Sequence, residues 1–356
     1  MNDPRLLGVS AYRTDEIAKP IKKLKGSQSI SVDHSKSFIR KYLLVFIRGN
    51  REISTGEYNA VVVNSPGLIS FLMGILCLIH RIPLIIRLIG DYWWVSDIMV
   101  RRSLNELNIT SLFMSLGRLI LSKISFILAD GCLVVSKELI EVVEQNTGIR
   151  RENISVVHYP VDFNKFASGN GEDFVKNHQI NTERVLSVVF HAEFYPKYRG
   201  FKDVISLASK VLSDYPDISL VVAGWGKHYS RLSMFFRHDR IHFVGFVNNI
   251  ADLYAATDIL LYNSYMDGYP NVILEAQAAG VPVISNPKFG MNEQINHLNT
   301  GILAQVDGHY EDYLRDSLDG KLNIEELGRR AYQSVQEHNS PESISRDLSC
   351  AVKEIV

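Results

Sequence analysis

Residues 262–303 read YNSYMDGYPNVILEAQAAGVPVISNPKFGMNEQINHLNTGIL, and their alternation of breakers and apolar runs decides the fold. Asp267-Gly268-Tyr269-Pro270 is a breaker cluster, and Pro270 suits the first turn of a helix because its missing N–H would have no intrahelical partner there. The spacing predicts a helix from Pro270 to Ala279, stopped by Gly280 in the left-handed conformation, and then a short buried strand over Val281-Pro282-Val283-Ile284. Turn, helix and strand in that order form one unit of a parallel sheet. The helix is apolar except for Glu275, whose carboxylate needs a cation or donors once buried. Either a structural Lys or Arg supplies them, or Glu275 serves a ligand together with Asp267, eight positions earlier. Two acids beside the first-turn backbone N–H groups of Asn271 and Val272, which a helix leaves without intrahelical partners, offer acceptors to sugar hydroxyls and donors to phosphate oxygens, which suits a nucleotide-sugar.

Working outward, the same alternation recurs. AVVVNS after Tyr58, Ile82–Leu88, Ala129–Ser136, Val185–Ala192, Ile218–Ala223, Ile241–Val244 and Ile259–Tyr262 read as buried strands. Gly67–His80, a stretch after Ser136 ending at Thr147, Phe201–Asp214 and Ile250–Ala256 read as helices, and more helices follow Leu303. Residues 1–50 are harder: Leu6–Ala11 reads as a strand, Lys19–Lys25 as a solvated turn or helix end, and Phe38–Arg48 as helix or strand. Strand–helix–strand joints this short imply right-handed parallel crossovers and two doubly wound, Rossmann-like α/β domains. The expected division is 1–170, then 171–340, with Ala167–Thr182 as linker and 341–356 as a helix crossing back to the first domain. Asp91 falls just past the carboxyl end of a strand, where open sheets bind ligands, so it is a catalytic candidate; a helix cap is the competing role.

The 262–303 stretch resembles the Glu-x7-Glu motif of retaining GT-B glycosyltransferases of family 4, with Asp267 in place of the first Glu and Gly268, Pro270, Asn271, Leu274, Glu275, Ala276, Gly280, Pro282, Val283 and Ile284 in register. Gly224-Trp225-Gly226, FVGFV at 243–247 and LYAATDILLYNS at 253–264 extend the resemblance. It implies a GT-B fold, two Rossmann-like domains facing across a cleft, the first binding the acceptor and the second the nucleotide-sugar. It further implies a hexosyltransferase acting with retained configuration on a glycan or lipid-linked acceptor in polysaccharide or glycoconjugate synthesis. On that pattern Asp267 is catalytic, Glu275 holds the ribose, and Gly268, Tyr269, Asn271 and Val272 complete the donor turn. The base lies near Gly226 and Phe246. The family's GRxxxxKG loop is here His191–Gly200: Arg199 matches the Lys, Glu193 stands where Arg is expected, and Lys197 either supplies the missing charge or is merely solvated. Ile89 replaces the family's His before Gly90, leaving Asp91 as the candidate near the anomeric carbon. A sugar-nucleotide-binding protein without turnover and a GT-B epimerase are the alternative readings.

The formal charge of −1 argues against a nucleic-acid partner. That balance is uneven: residues 1–165 carry 21 basic and 15 acidic side chains. Arg101–Leu128 sets Arg101, Arg102, Arg118 and Lys123 among apolar residues, which fits a core helix pair or a face laid on anionic lipid. Three scattered cysteines suggest neither disulfides nor zinc. No DxD sequence occurs, so neither a metal nor any other cofactor is expected beside the UDP- or GDP-sugar co-substrate. Charged residues in MNDPRLLGVSAYRTDE take the place of an apolar leader. The expected location is the cytoplasm, with the inner membrane face as the peripheral alternative.

Overall fold

The computed structural model describes residues 3–10, 15–32, 37–191 and 193–356. Ala11 and Ala192, expected to end the first strand of each half, lie outside the described residues. The chain divides into two compact units, Met1–Pro160 with Pro341–Val356, and Val161–Ser340.

The first unit runs β1 (Leu6–Ser10), α1 (Asp15–Lys23), β2 (Gln28–Ser31), α2 (Phe38–Thr55), β3 (Ala60–Asn64), α3 (Leu68–His80), β4 (Leu84–Leu88), α4 (Tyr92–Asn105), α5 (Ile109–Ile127), β5 (Gly131–Val134), α6 (Glu138–Thr147) and β6 (Ile154–Val156). Its six strands are parallel, ordered β2-β1-β3-β4-β5-β6. The Val/Ile/Leu content of β3, β4 and β5 is what a strand covered on both faces requires, and each of the three is buried along its length. Residues 19–25, expected as a solvated turn or helix end, mostly form α1, whose Ile21 joins the core. Phe38–Arg48 resolves as helix, within α2.

The second unit runs α7 (Phe163–Ala167), α8 (Gly171–Asn177), β7 (Arg184–His191), α9 (Tyr195–Val211), β8 (Ile218–Trp225), α10 (Tyr229–Phe235), β9 (Ile241–Gly245), α11 (Ile250–Ala255), β10 (Ile259–Tyr262), α12 (Asn271–Ala278), β11 (Val283–Ser285), α13 (Met291–Gln294), β12 (Ile302–Leu303), α14 (Tyr310–Leu318) and α15 (Ile324–His338). Its parallel sheet is ordered β12-β11-β10-β7-β8-β9. The last helix, α16 (Pro341–Ile355), belongs to the first unit, where Ile344, Leu348 and Val352 pack with Ile21, Val62 and Leu133.

Three sequence expectations differ from the structure. The boundary falls at Val161, ten residues before the expected 171, because the Val161 N–H donates to the Asn339 carbonyl at 2.9 Å and Phe166 packs on Tyr254. The supposed linker is built structure. Asn170 caps α8 by accepting from Asp173 N at 3.1 Å, and a Cβ on Gly169 or Gly171 would strike the backbone of Ala251 or Ala255. Its glycines serve close packing on α11. Finally, the helix expected from Phe201 begins at Tyr195, because Pro196 occupies its first turn and Gly200, a breaker by composition, lies inside it.

Gly200 is there because the Asn263 backbone carbonyl lies where its Cβ would be. Gly→Ala inside a helix ordinarily stabilises by about 0.5–1 kcal/mol. Here Gly200→Ala is expected to destabilise by about 1–3 kcal/mol, the cost of overpacking against backbone that cannot yield, measured as a lowered urea midpoint with unchanged slope.

Candidate functional site

In the second sheet the strand order reverses between β7 and β10, the two neighbours from which the chain winds outward in opposite directions. Ligands of open parallel sheets bind outside the strand carboxyl ends at such a point. β7 ends on His191, and β10 runs into Asn263-Ser264-Tyr265-Met266-Asp267, the turn that opens α12. Asn286 fixes this turn from the end of β11, its Oδ1 accepting from Ser264 N at 3.1 Å and its Nδ2 donating to the Ser264 carbonyl at 2.9 Å.

Asp267 is the centre of the cluster. Lys197 Nζ donates to its Oδ1 at 2.8 Å, while the Tyr262 and Ser264 hydroxyls each donate to its Oδ2 at 2.6 Å. Burial by itself raises the Asp267 carboxyl pKa, but the Lys197 charge and the donated hydrogen bonds outweigh it and hold the group below its usual range. Burial and the neighbouring Asp267 charge push the Tyr262 phenol well up, so it remains a donor.

Lys197 is not solvated; its side chain is 8% exposed. Its Nζ lies 3.0 Å from His191 Nε2, and since an ammonium only donates, that nitrogen accepts and the ring proton sits on Nδ1. His191 in turn stacks on Trp225, with ring centroids 5.6 Å apart. Lysine has three N–H donors, and Asp267 and His191 occupy two. Arg199, two residues further along α9, is exposed and lies over the Tyr265 ring at 5.6 Å. Lys288 lies 5.2 Å from the centroid of the same ring, and the Tyr265 hydroxyl donates to Asp203 at 3.1 Å. So Lys197, not Arg199, meets the acid.

Helix α12 has Pro270 at its N-cap and no side chain capping it, so the backbone N–H groups of Asn271 and Val272 open its first turn without a side-chain cap. Gly280 ends the unit at φ +76° as expected. Glu275 accepts from the Tyr254 hydroxyl at 3.2 Å, whose pKa burial first and the Glu275 charge second hold well above normal. Tyr269 does not present its ring to a ligand: it is 6% exposed, and its hydroxyl oxygen accepts from Asn339 Nδ2 at 3.5 Å. The adjacent Gly268 carbonyl occupies the place a Cβ on Gly290 would take. Gly226 (φ +115°) follows β8, and Phe246, 68% exposed, follows β9. The Tyr229 hydroxyl fixes these two ends by donating to the Val222 carbonyl at 2.9 Å and accepting from Gly245 N at 2.8 Å.

Asp91 belongs to the first unit, where its Oδ1 accepts from Trp94 N at 2.8 Å and caps α4. The residues that sequence reasoning misses are Tyr262, Ser264 and His191. Two of them carry a signal, hydroxyls five and three positions before Asp267 in YNSYMD. His191 carries none, since only the sheet brings it near.

Residues 186–315 match the family model described as glycosyl transferases group 1. The N-acetyl-alpha-D-glucosaminyl L-malate synthase of Bacillus anthracis is 28% identical over 228 residues, 61% of this chain and 57% of that protein. The N,N'-diacetylbacillosaminyl-diphospho-undecaprenol alpha-1,3-N-acetylgalactosaminyltransferase of Campylobacter jejuni is 27% identical over 229 residues, 62% of this chain and 59% of that one. The chain thus spans a little over half the length of these relatives. Anabaena Alr3699/HepE, solved in complex with UDP-glucose, superposes with a TM-score of 0.70 at 16% identity over 98% of this chain and 99% of that one. The fold is GT-B.

The depressed Asp267 carboxyl contributes stability above the ordinary aspartate value of about 3.9 and loses it as pH falls through the lower folded value. Asp267→Asn is therefore expected to flatten that part of the acid limb of stability against pH. In a double-mutant cycle, Lys197→Met is expected to cost about 3–5 kcal/mol alone, by stranding a buried carboxylate, and much less on the Asp267→Asn background.

Proposed function

We propose, for a chain of GT-B fold whose second unit carries a group 1 glycosyl transferase domain, that the protein is a retaining glycosyltransferase using a nucleoside-diphosphate sugar. The observation that carries this reading is the buried Lys197 ammonium of α9, held at the sheet's reversal point by His191 and by Asp267 of the turn that opens the uncapped α12. Asp267 balances the lysine, and the N–H donors that remain on Lys197 and at the α12 N-terminus support a diphosphate as the ligand.

The third Lys197 N–H and the N–H groups of Asn271 and Val272 take the phosphate oxygens, and the helix terminus adds about 0.3–1 kcal/mol. Charge developing on the departing diphosphate meets donors already in place, so their reorganisation costs nothing at the transition state. Asp267 is ill suited to act as nucleophile or acid: both of its oxygens hold donors and its carboxyl stays ionised. It acts as a positioning residue, through Lys197. The diphosphate itself takes the acceptor's proton. Glu275 grips the ribose hydroxyls, its carboxylate accepting from them beside the Tyr254 hydroxyl. Trp225, Gly226 and Phe246 shape the base end.

The UDP-glucose complex of the Anabaena protein favours uridine as the nucleoside. The names of the relatives give L-malate in one case and a diphospho-undecaprenol-linked sugar in the other, and the second favours a lipid-linked acceptor used in glycoconjugate or polysaccharide synthesis. Binding of UDP, GDP and ADP followed by calorimetry tests the donor class, with UDP expected to bind and Glu275→Ala expected to weaken it about 10- to 100-fold through the lost charge-assisted bonds. A melting temperature that drops sharply in Glu275→Ala with unchanged UDP affinity would give this residue a structural role instead. Incubating the protein with UDP-sugars and membrane lipids separates transfer from binding alone and from interconversion of the free donor. In that assay Lys197→Ala is expected to lose more turnover than Arg199→Ala, because only Lys197 is buried against the acid.

A further inference from the structure

Helix α5 is inside out for a helix facing water. Its buried side is Ser115, Ser122, Ser125 and Phe126, whereas its exposed side carries Ile109, Phe113, Leu116, Ile120 and Ile127. The exposed positions step by 4, 3, 4 and 7 residues, so they form one continuous stripe. Phe113 is 72% exposed and Ile127 77%. Two of the helix's serines, Ser111 and Ser125, are satisfied within the unit, whereas the buried Ser122 hydroxyl has no hydrogen-bond partner among the described residues. Ser125 Oγ donates to the carbonyls of Leu121 at 2.7 Å and Gly67 at 3.1 Å, and the Ser103 and Ser111 hydroxyls pair across α4 and α5 at 2.8 Å. Small residues between helices and large apolar residues outside are the arrangement of helices whose surroundings are apolar.

The α4–α5 connection adds further exposed apolar residues, with Leu104 52% and Leu107 87% exposed, the latter held at φ +51°. Helix α2, packed on α3, which packs on α5, adds a second exposed stripe of Ile39, Leu43 and Ile47. Charge on this layer is one-sided: α2 to α5 contain eight basic and two acidic side chains. Arg40, Arg48, Arg51, Arg118 and Lys123 make no ion pair among the described residues. Arg118 instead lies over the Tyr92 ring of α4 at 5.3 Å.

We infer that the α4–α5 hairpin, with the outer face of α2, is a docking surface for an anionic lipid bilayer, lying in the interface without crossing it. With 19 residues and a mean hydropathy of 1.3, α5 is long and apolar enough to span. Its serine side, however, packs on α3 and α4, so only one stripe is available to lipid. The stripe sinks among the acyl chains while unpaired Arg and Lys heads reach the phosphates. An apolar surface edged with positive charge that has no acidic partner among the described residues suits an anionic bilayer better than a second, equally basic copy. The inference rests on the first unit alone and stands whether or not the second unit transfers sugar.

The test is flotation of the full chain with phosphatidylcholine vesicles and with vesicles containing phosphatidylglycerol, at low and high salt, alongside sedimentation velocity without vesicles. The wild type is expected to float with the anionic vesicles at low salt and to be depleted from them at high salt. Phe113→Asp and Ile120→Asp are each expected to lower the partition constant about tenfold or more, since both add charge to an exposed stripe. Their melting temperatures should match wild type, because neither side chain is buried. A wild type that stays at the bottom of the gradient, or variants that float as well as it does, overturns the inference. So does a wild-type dimer that Phe113→Asp converts to monomer while flotation is unchanged, which would assign the stripe to self-association.

Discussion

A lysine ammonium that is 8% exposed survives only beside a matching negative charge, and in this protein that charge is Asp267 at 2.8 Å. Much of the second unit's architecture at the strand carboxyl ends follows from keeping the pair intact. The turn after β10 is clamped by Asn286, the Tyr262 and Ser264 hydroxyls are spent on the far carboxylate oxygen, and α9 begins early enough to bring Lys197 in. Gly200 lets that helix approach the turn closely. A site built this way is rigid before any ligand arrives, and rigidity is what electrostatic stabilisation of a departing group requires.

The shorter acid fits the same logic. Aspartate at 267 sits closer to its own backbone than glutamate would, and in this fold its oxygens are turned to Lys197, Tyr262 and Ser264. Any sugar hydroxyl met at this corner would meet the lysine together with the acid. The family pattern's Arg is absent at Glu193, yet the cationic character is retained in Lys197, Arg199 and Lys288, the last two on either count gathered at Tyr265.

How much was legible beforehand depended on whether the cause was local. Val61–Val63 and Leu84–Ile86, bounded by Asn, Gly and Pro, announce buried parallel strands, and Pro270 and Gly280 bracket α12 to within a residue or so. Asp267 and Glu275 stand out because one is an acid just before an apolar helix and the other an acid within it. Pro196 and Gly200 mislead for the reason that each is a breaker in isolation; only the first-turn position of one and the Asn263 carbonyl beside the other make a helix of that stretch. The Gly169–Gly171 segment misleads likewise, its glycines marking contact with α11 and not freedom. His191 and Lys197 lie six residues apart but converge on Asp267 only after β7 and β10 have paired. No local pattern encodes that.

Placing α16 in the first unit has a consequence for synthesis. Ile344, Leu348 and Val352 complete a core whose other members, among them Val62, Ile85 and Leu133, are translated some two hundred or more residues earlier. The first sheet therefore waits, one apolar face covered by α1 but not yet by α16, while the whole of Val161–Ser340 is made. The second unit can close on itself as it emerges, so the nascent chain finishes in the reverse of its written order. During that interval the valine and leucine side chains that α16 later covers stay open to other chains.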